Sequence, residues 1–515
     1  MSQAPANTSV PKIVSKSPGA NEDTRDIEEK IQDRRSRELI IGLCGAIGAG
    51  INDLQSELKT YLEAEKYIVE IIKISDLIPA LKNDPALLSL RGFERYKSYQ
   101  DAGNKIRAAM RNHRLAQAAI QEIIKKRSPH LDKSSEAEDK HKTTKRIAYI
   151  INQLKNPAEV GLLQKVYPRN FYLLGLISPE INRKKNLKSI PMSTAEADQL
   201  VEIDRRDNEK HGQQVEKTIY LSDYFIRDGH SNSLYLRSAI KRFINMIHGV
   251  NGITPTKDEV GMYTASSAAL NSACLSRQVG AAIVNNLGDI LSTGCNDVPK
   301  SGGGLYSAED DKNDHRCVFS GKKCFNDFHK SLLEKAFQEI LEKNSVSDAK
   351  KIASELFKNS PAKDLIEYSR AVHAEMDALV QLARTEGQST IGATLYCTTY
   401  PCHSCARHIV AAGIKRVIYI EPYEKSLALE LHADSISTTE EVNKVAFTPF
   451  EGVAPQRYFR FFKMMPDTRK KDGRALFSNP SESHHVDAQY LDSYYDYEER
   501  VAKETEKEVN PFLAA

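Results

Sequence analysis

His373, Ala374 and Glu375 stand in a row, and Pro401-Cys402-His403-Ser404-Cys405 follows downstream. An imidazole and two thiolates are donors that tetrahedral zinc accepts, and three protein donors leave a fourth position for water. Cys402 and Cys405 are three apart, which places both on one face at the start of a helix. Pro401 suits a helix start, where a missing N–H is not needed. His373 also opens a helical run. Two helix N-termini would then point at one place, and their partial positive charge favours thiolates. Glu375 lies two residues past His373. Its carboxylate can take a proton from a zinc-acidified water and hand it to a leaving nitrogen. The chemistry predicted is hydrolytic deamination, with Zn2+ held by His373, Cys402 and Cys405 and with Glu375 as the catalytic residue. A lone CxxC would suit structural zinc or redox work. The upstream H-x-E, with a strand predicted between the two motifs, weighs against both.

The elements that must position these residues read as α/β. The segment 249–257 (GVNGITPTK) is rich in Gly, Pro and Thr and marks a boundary. Beyond it the pattern predicts a helix over 258–275 and strands over 279–284, 290–295, 394–399 and 417–420. Helices are expected over 371–384 and 402–412. A polar insertion at 298–365 holds a helix over 327–342. Before the boundary, the apolar run 39–44 reads as a buried strand. Further strands are expected over 67–72, 147–151, 171–177 and 224–226, with one long helix over 96–127. Strands alternating with helices imply right-handed βαβ units and a parallel sheet. The expected division is a polar tail (1–36), a first unit (37–250), a second unit (257–440) and a C-terminal extension with an acidic tail (441–515). His484 and His485 read as a solvated pair in that tail. Cys44, Cys274, Cys295 and Cys397 read as core thiols.

Composition narrows the setting. The chain has 515 residues, 40% hydrophobic and 27% charged, with 72 basic and 69 acidic side chains. That length implies more than one core. A net charge of +3 implies no strong general pull toward nucleic acid or anionic membrane. The sequence shows no apolar run of transmembrane length and no secretory signal. Eight Cys in this pattern do not form a secreted disulfide framework, so a cytoplasmic setting is expected.

The motif pair H-x-E and P-C-x-x-C is the zinc-deaminase signature. Residues 257–440 resemble the cytidine and deoxycytidylate deaminase superfamily. Ser276 to Ala281 resemble the family's first strand and the loop before it, and Gly294 to Pro299 resemble the strand end whose Asn holds the sugar. The resemblance implies an α/β/α deaminase fold, with Asn296 on the deoxyribose and the Ala374 backbone N–H on the base. Arg277 is a phosphate ligand by this reading, and Tyr400 packs on sugar or base. Many deoxycytidylate deaminases carry Asn where this chain has Asp377. Some also carry a structural zinc, for which His315, Cys317 and Cys324 in the insertion are the residues to test, with His329 nearby.

Gly45-Ala46-Ile47-Gly48-Ala49-Gly50-Ile51-Asn52 sits after a strand and before a helix, which is P-loop context. Gly45, Gly48, Gly50 and Asn52 are its candidate nucleotide-binding residues. The Lys and Ser/Thr positions of a working P-loop are Ile51 and Asn52, and Asn152 stands where a strand-end Asp would help hold magnesium. Asp101 to Asn104 with Arg107, Arg183, and Gln213 to Asp223 also resemble a nucleotide kinase. The first unit is therefore expected to be a P-loop kinase-like domain without phosphotransfer, serving as a sensor of nucleotide or as a scaffold. Joined to a deoxycytidylate-type deaminase, it resembles the bacterial anti-phage dCTP deaminases. That family implies deamination of dCTP and dCMP to dUTP and dUMP, which depletes a DNA precursor during infection.

Two rivals follow. A deaminase of RNA or single-stranded DNA shares the zinc motif but calls for a basic groove with stacking aromatics. Near-zero net charge and the absence of Trp argue against it. Basic clusters at 125–127, 140–146 and 183–188 lie in the first unit and could take a regulatory RNA. A nucleotide kinase with a passenger domain is opposed by Ile51 and Asn152. By analogy a homo-oligomer is expected.

Overall fold

β1 (Glu38–Gly45) is buried along its whole length. A strand apolar on both faces needs cover on both sides, which places it mid-sheet. In the computed structural model it pairs in parallel with β3 (Ile147–Asn152) and β4 (Phe171–Ile177). β2 (Ile68–Lys73) joins β3, and β5 (Tyr224–Arg227) joins β4, again in parallel. The order is β5-β4-β1-β3-β2. Helices Ile51–Ala64 and Ser233–Ile247 cover one face through Leu54, Leu58, Phe243 and Ile247. Ile106, Ile120 and Leu163 cover the other. The structure describes residues 35–131, 143, 145–187, 190–205, 211–227, 233–423, 426–464, 469–486 and several positions between 488 and 502. The expected tail 1–34, most of the basic run 140–146, and Lys188 lie outside them.

The long helix expected over 96–127 is two helices, Gly92–Ala109 and Arg114–Arg127. Between them Asn112 bonds His211 at 2.8 Å. No Gly or Pro marks the break; tertiary contact sets it.

The second sheet contains β6 (Gly280–Val284), β7 (Ile290–Cys295), β8 (Thr394–Thr399), β9 (Arg416–Glu421), β10 (Ile436–Ser437) and β11 (Val445–Pro449). Its order is β10-β11-β9-β8-β6-β7. β6 is antiparallel to both neighbours, while β8, β9, β11 and β10 run parallel. Helices Ala374–Ala383 and His403–Ala411 pack on one face through Ala378, Leu382, Ala406 and Ile409. Helix Lys257–Ala269 covers the other through Met262 and Ala265. The insertion carries a helix over Phe325–Lys343 and a second over Ala349–Asn359.

The chain then returns to the first sheet. β12 (Gly452–Val453) pairs antiparallel with β5. Buried Glu259 ties the junction, accepting from Arg242 at 2.8 and 2.9 Å, from the Thr256 N–H and from the Val453 N–H. Arg457 donates to Asp223 at 2.6 Å. Further on, Arg127 is held between Glu38 and Glu498, all three buried. His485 is buried as well, 3.1 Å from the Tyr172 hydroxyl. The reading of His484 and His485 as a solvated pair is corrected. The C-terminal extension fills the surface of the first unit, and a ring buried against Tyr172 cannot be solvated. Among the described residues no helix is long and apolar enough to cross a membrane.

Candidate active site

His373 is the residue before helix Ala374–Ala383, and Cys402 the residue before helix His403–Ala411. Pro401 thus precedes the helix cap rather than opening the helix. Both caps have extended backbone, which turns their side chains toward the helix ends. The Cys405 N–H donates to the Cys402 sulfur at 3.4 Å. The His373 Nδ1 lies 3.3 Å from the Cys402 Sγ and 3.4 Å from the Cys405 Sγ. All three donor atoms lie within 4.8 Å of one another. With zinc–sulfur and zinc–nitrogen bonds of about 2.3 and 2.0 Å, a tetrahedral ion needs S···N separations of about 3.5 Å. The donor set therefore fits zinc in kind, number and spacing.

Electrostatics agree. Hydrogen bonds from Cys405 and His373 pull the Cys402 thiol well below the ordinary thiol range, toward the thiolate that a metal needs. The same contact with Cys402 raises His373 to about 9. Glu375, two residues past His373, is 4% exposed. Burial raises its carboxyl to about 7, with His373 pulling the other way.

Close packing fixes the helix that carries Glu375. A Cβ on Gly294 would lie 2.3 Å from the Ala374 carbonyl oxygen and 2.4 Å from the Ala378 nitrogen. Only glycine lets the helix rest on β7 at this depth. Asp377 accepts from the Cys295 N–H at 3.1 Å, so its buried carboxylate pins the same helix to the end of β7. Asp297 accepts from the Ala273 N–H, and its own carbonyl accepts from the Val372 N–H. The loop before His373 is anchored in this way. Neither aspartate's part was legible in the sequence, because both act through backbone N–H groups far along the chain.

One cavity collects the residues singled out by sequence. His373, Ala374, Glu375, Cys402, Asn296, Arg277 and Tyr400 all line it. Asn296 accepts from the Val279 N–H and donates to the Arg277 carbonyl, at 2.7 and 2.8 Å. Each of its amide atoms retains capacity for one more hydrogen bond. Arg277 is exposed and ion-paired with Glu421. The Tyr400 ring stands edge-on to Tyr419 and Phe447, and among the described residues its buried hydroxyl has no hydrogen-bond partner. Cys274, Cys317, Cys324, Phe325, Arg370 and Tyr423 line the cavity too. Sequence reasoning did not place these in the cavity, since three of them, Cys317, Cys324 and Phe325, come from the insertion and the others lie outside the motifs. Cys274 is therefore a cavity residue, half-buried rather than core, while Cys44, Cys295 and Cys397 are buried. Among the described residues His315, Cys317 and Cys324 form no three-donor group. His315 instead stands edge-on to Tyr306, and His329 packs beside Tyr368.

The glycine-rich loop is built differently. Gly48 and Gly50 have φ of 78° and 83°, and Gly50 caps helix Ile51–Ala64. Several of the loop's polar groups are engaged by the chain itself. The Ile47 N–H donates to buried Asp204 at 2.6 Å, and Lys155 pairs with the other oxygen of that carboxylate. The Ala49 N–H bonds the Ala46 carbonyl. Asn186 donates to the Gly48 carbonyl, and the Gly45 carbonyl accepts from Gln153. The Arg183 carbonyl stands where a Gly48 side chain would be. Asn152 donates to Asn52 and Gln55. Arg107 is buried against Glu159.

Residues 255–421 match the family model of the cytidine and deoxycytidylate deaminase zinc-binding region. Over 75 residues the chain is 43% identical to ComE operon protein 2 of Bacillus subtilis, spanning 14% of this chain and 39% of that protein. The deoxycytidylate deaminase of Saccharomyces cerevisiae is 25% identical over 310 residues, which is 53% of this chain and 81% of that one. A solved dCMP deaminase from cyanophage S-TIM5 aligns with 38% of this chain and all of its own, at 22% identity and a TM-score of 0.22. The deoxycytidylate deaminase of Enterobacteria phage T4 is 33% identical over 168 residues, covering 30% of this chain and 72% of that enzyme. With that coverage and identity, this chain belongs to the deoxycytidylate deaminase family.

Proposed function

We propose that this chain hydrolyses deoxycytidine nucleotides, dCMP and dCTP, to their deoxyuridine forms with release of ammonia. The observation that carries this reading is the grouping of His373, Cys402 and Cys405, with His373, Cys402 and the buried Glu375 lining one cavity. His373, Cys402 and Cys405 would hold zinc. When bound, that ion supplies Lewis acidity, making water able to release a proton near neutral pH. Glu375 receives one proton of the water and passes it to the ring nitrogen beside C4; it then takes the second proton from the hydroxyl now on C4 and delivers it to the amino group, which leaves as ammonia while the C4 carbonyl forms. Burial suits it to both tasks, because an acid that also acts as base works best with a pKa near the working pH. The Ala374 N–H is in the first helical turn and has no partner within its helix, so it is available to the base. Asn296 offers its remaining hydrogen-bond capacity to the sugar. Relatives bearing the name deoxycytidylate deaminase favour free nucleotides over polynucleotides as substrate. Ammonia release from dCMP or dCTP by zinc-loaded protein, lost in Glu375→Ala, is the test.

For residues 37–250 we infer a P-loop kinase-like unit that has lost phosphotransfer. In support, the Gly-rich loop follows the central strand of a parallel β2-β3-β1-β4-β5 sheet. Its loop contacts with Asp204 and Asn186 favour a scaffold over a nucleotide sensor. The pairing of the two units resembles bacterial anti-phage dCTP deaminases. On that resemblance we assign dCTP depletion during infection as the biological use. Plaque counts on cells expressing wild type or Glu375→Ala test it.

A further inference from the structure

One arginine of the cavity lining, and a lysine beside that lining, lack a close carboxylate among the described residues. Arg370 lines the cavity three residues before His373. Its guanidinium lies 5.2 Å from the centre of the Phe325 ring, and one N–H donates to the His315 carbonyl at 3.3 Å. The Lys323 ammonium lies 5.2 Å from the same ring and 3.3 Å from the Phe328 ring. Two like charges thus share one phenyl ring. Among the described residues neither has a carboxylate oxygen within 4.0 Å. Asp314 and Asp310, on the same insertion, are engaged by Arg316 and Lys300. Arg277, the cavity arginine apparent from sequence, has Glu421 as its counter-ion.

Cation–π contact holds each charge in place without cancelling it. A phosphate approaching either cation meets a charge that its ring contact leaves uncancelled. A guanidinium with one of its five N–H groups engaged keeps a planar fork for a phosphate, and an ammonium adds a point charge. We propose that Arg370, assisted by Lys323, is the determinant that reads the phosphate chain of the substrate, with Arg277 secondary. The inference rests on the reading that the site takes a deoxycytidine nucleotide. It also gives the 298–365 insertion a task, since the insertion supplies Lys323, Phe325 and the His315 carbonyl. A phosphate of a polynucleotide offers the same chemistry, so the experiment must separate the two sources.

Steady-state kinetics of the zinc-loaded full chain on dCTP, dCMP, deoxycytidine and a cytosine-containing oligodeoxynucleotide provide the test, with zinc content confirming that each variant is intact. Arg370→Ala should raise KM for dCTP by tens-fold with kcat within threefold, raise KM for dCMP less, and leave deoxycytidine unchanged. Lys323→Ala should affect dCTP more than dCMP. Arg370→Lys should recover part of the loss, because it restores charge without the fork. Equal losses on dCTP and deoxycytidine, or no change on dCTP, would overturn the proposal. So would a loss confined to the oligonucleotide. Equilibrium dialysis with inorganic tripolyphosphate separates this inference from the function it rests on. If wild type deaminates no cytosine compound, that function falls. Weaker tripolyphosphate binding by Arg370→Ala then upholds the phosphate site, and equal binding overturns it.

Discussion

The two units each place a loop and a helix N-terminus at the end of a buried strand, yet the two places differ in what their polar groups touch. In the second unit the donors face one another and an open cavity, and Arg370 has no carboxylate partner among the described residues. In the first unit Asp204 meets the Ile47 N–H, Lys155 meets Asp204, and Arg107 meets Glu159. The comparison teaches that a loop motif indicates backbone shape, whereas function needs polar groups left for a ligand.

Breaking the second site should have the largest effect. Glu375→Ala should lower deamination by about 10²–10⁴-fold while zinc content stays unchanged. Product assay and metal analysis on one sample would check this. Gly294→Ala should cost about 1–3 kcal/mol in stability and also reduce kcat, since the added methyl forces the Glu375 helix off β7. Thermal melts alongside kinetics separate the two losses.

The first unit should respond in stability rather than chemistry. Asp204→Ala removes one partner of a buried pair and should cost about 3 kcal/mol by denaturant unfolding, with kcat of the zinc site unchanged. Acid should act on the same unit. His248 is held neutral: the Ile244 carbonyl accepts from one ring nitrogen, while Tyr67 and Arg146 bond the other. Burial lowers it to about 4, and lowers His485 in the same direction. Above about pH 6.5 both histidines are neutral whether folded or not. Below that the unfolded chain takes up protons first, so stability falls as pH drops toward 4. The slope is up to about 1.4 kcal/mol per pH unit for each histidine. Denaturant midpoints between pH 7 and 4.5 should show this, and His248→Gln should flatten it. The smallest effect is expected from Ile51→Lys with Asn52→Ser. Supplying the Lys and Ser that a working P-loop carries should produce no ATP turnover, because the Ile47 and Ala49 N–H groups stay engaged within the chain. Appreciable turnover would show the loop to be closer to function than its contacts imply.

Sequence carried the spacing of the candidate site well because its signals are local. The H-x-E and P-C-x-x-C spacings depend on helix starts, and the apolar runs at 39–44, 147–151 and 171–177 are long enough to announce strands. What it hid was non-local. Asp377 and Asp297 act on backbone N–H groups of other segments. His485 is buried by a strand 313 residues earlier. β10 and β12 have two residues each, too short for any periodicity. Arg370 and Lys323 gain meaning only when the insertion folds over the cavity. The engagement of the Gly-rich loop by Asp204 spans 157 residues.

The most direct test is chromatography of nucleotides after incubating zinc-loaded protein with dCMP, dCTP and ATP together. Deoxyuridine nucleotides should accumulate while ATP stays intact, and the Glu375→Ala protein should leave all three untouched. Consumption of ATP, or intact cytosine nucleotides with zinc bound one-to-one, would contradict this account of the two units.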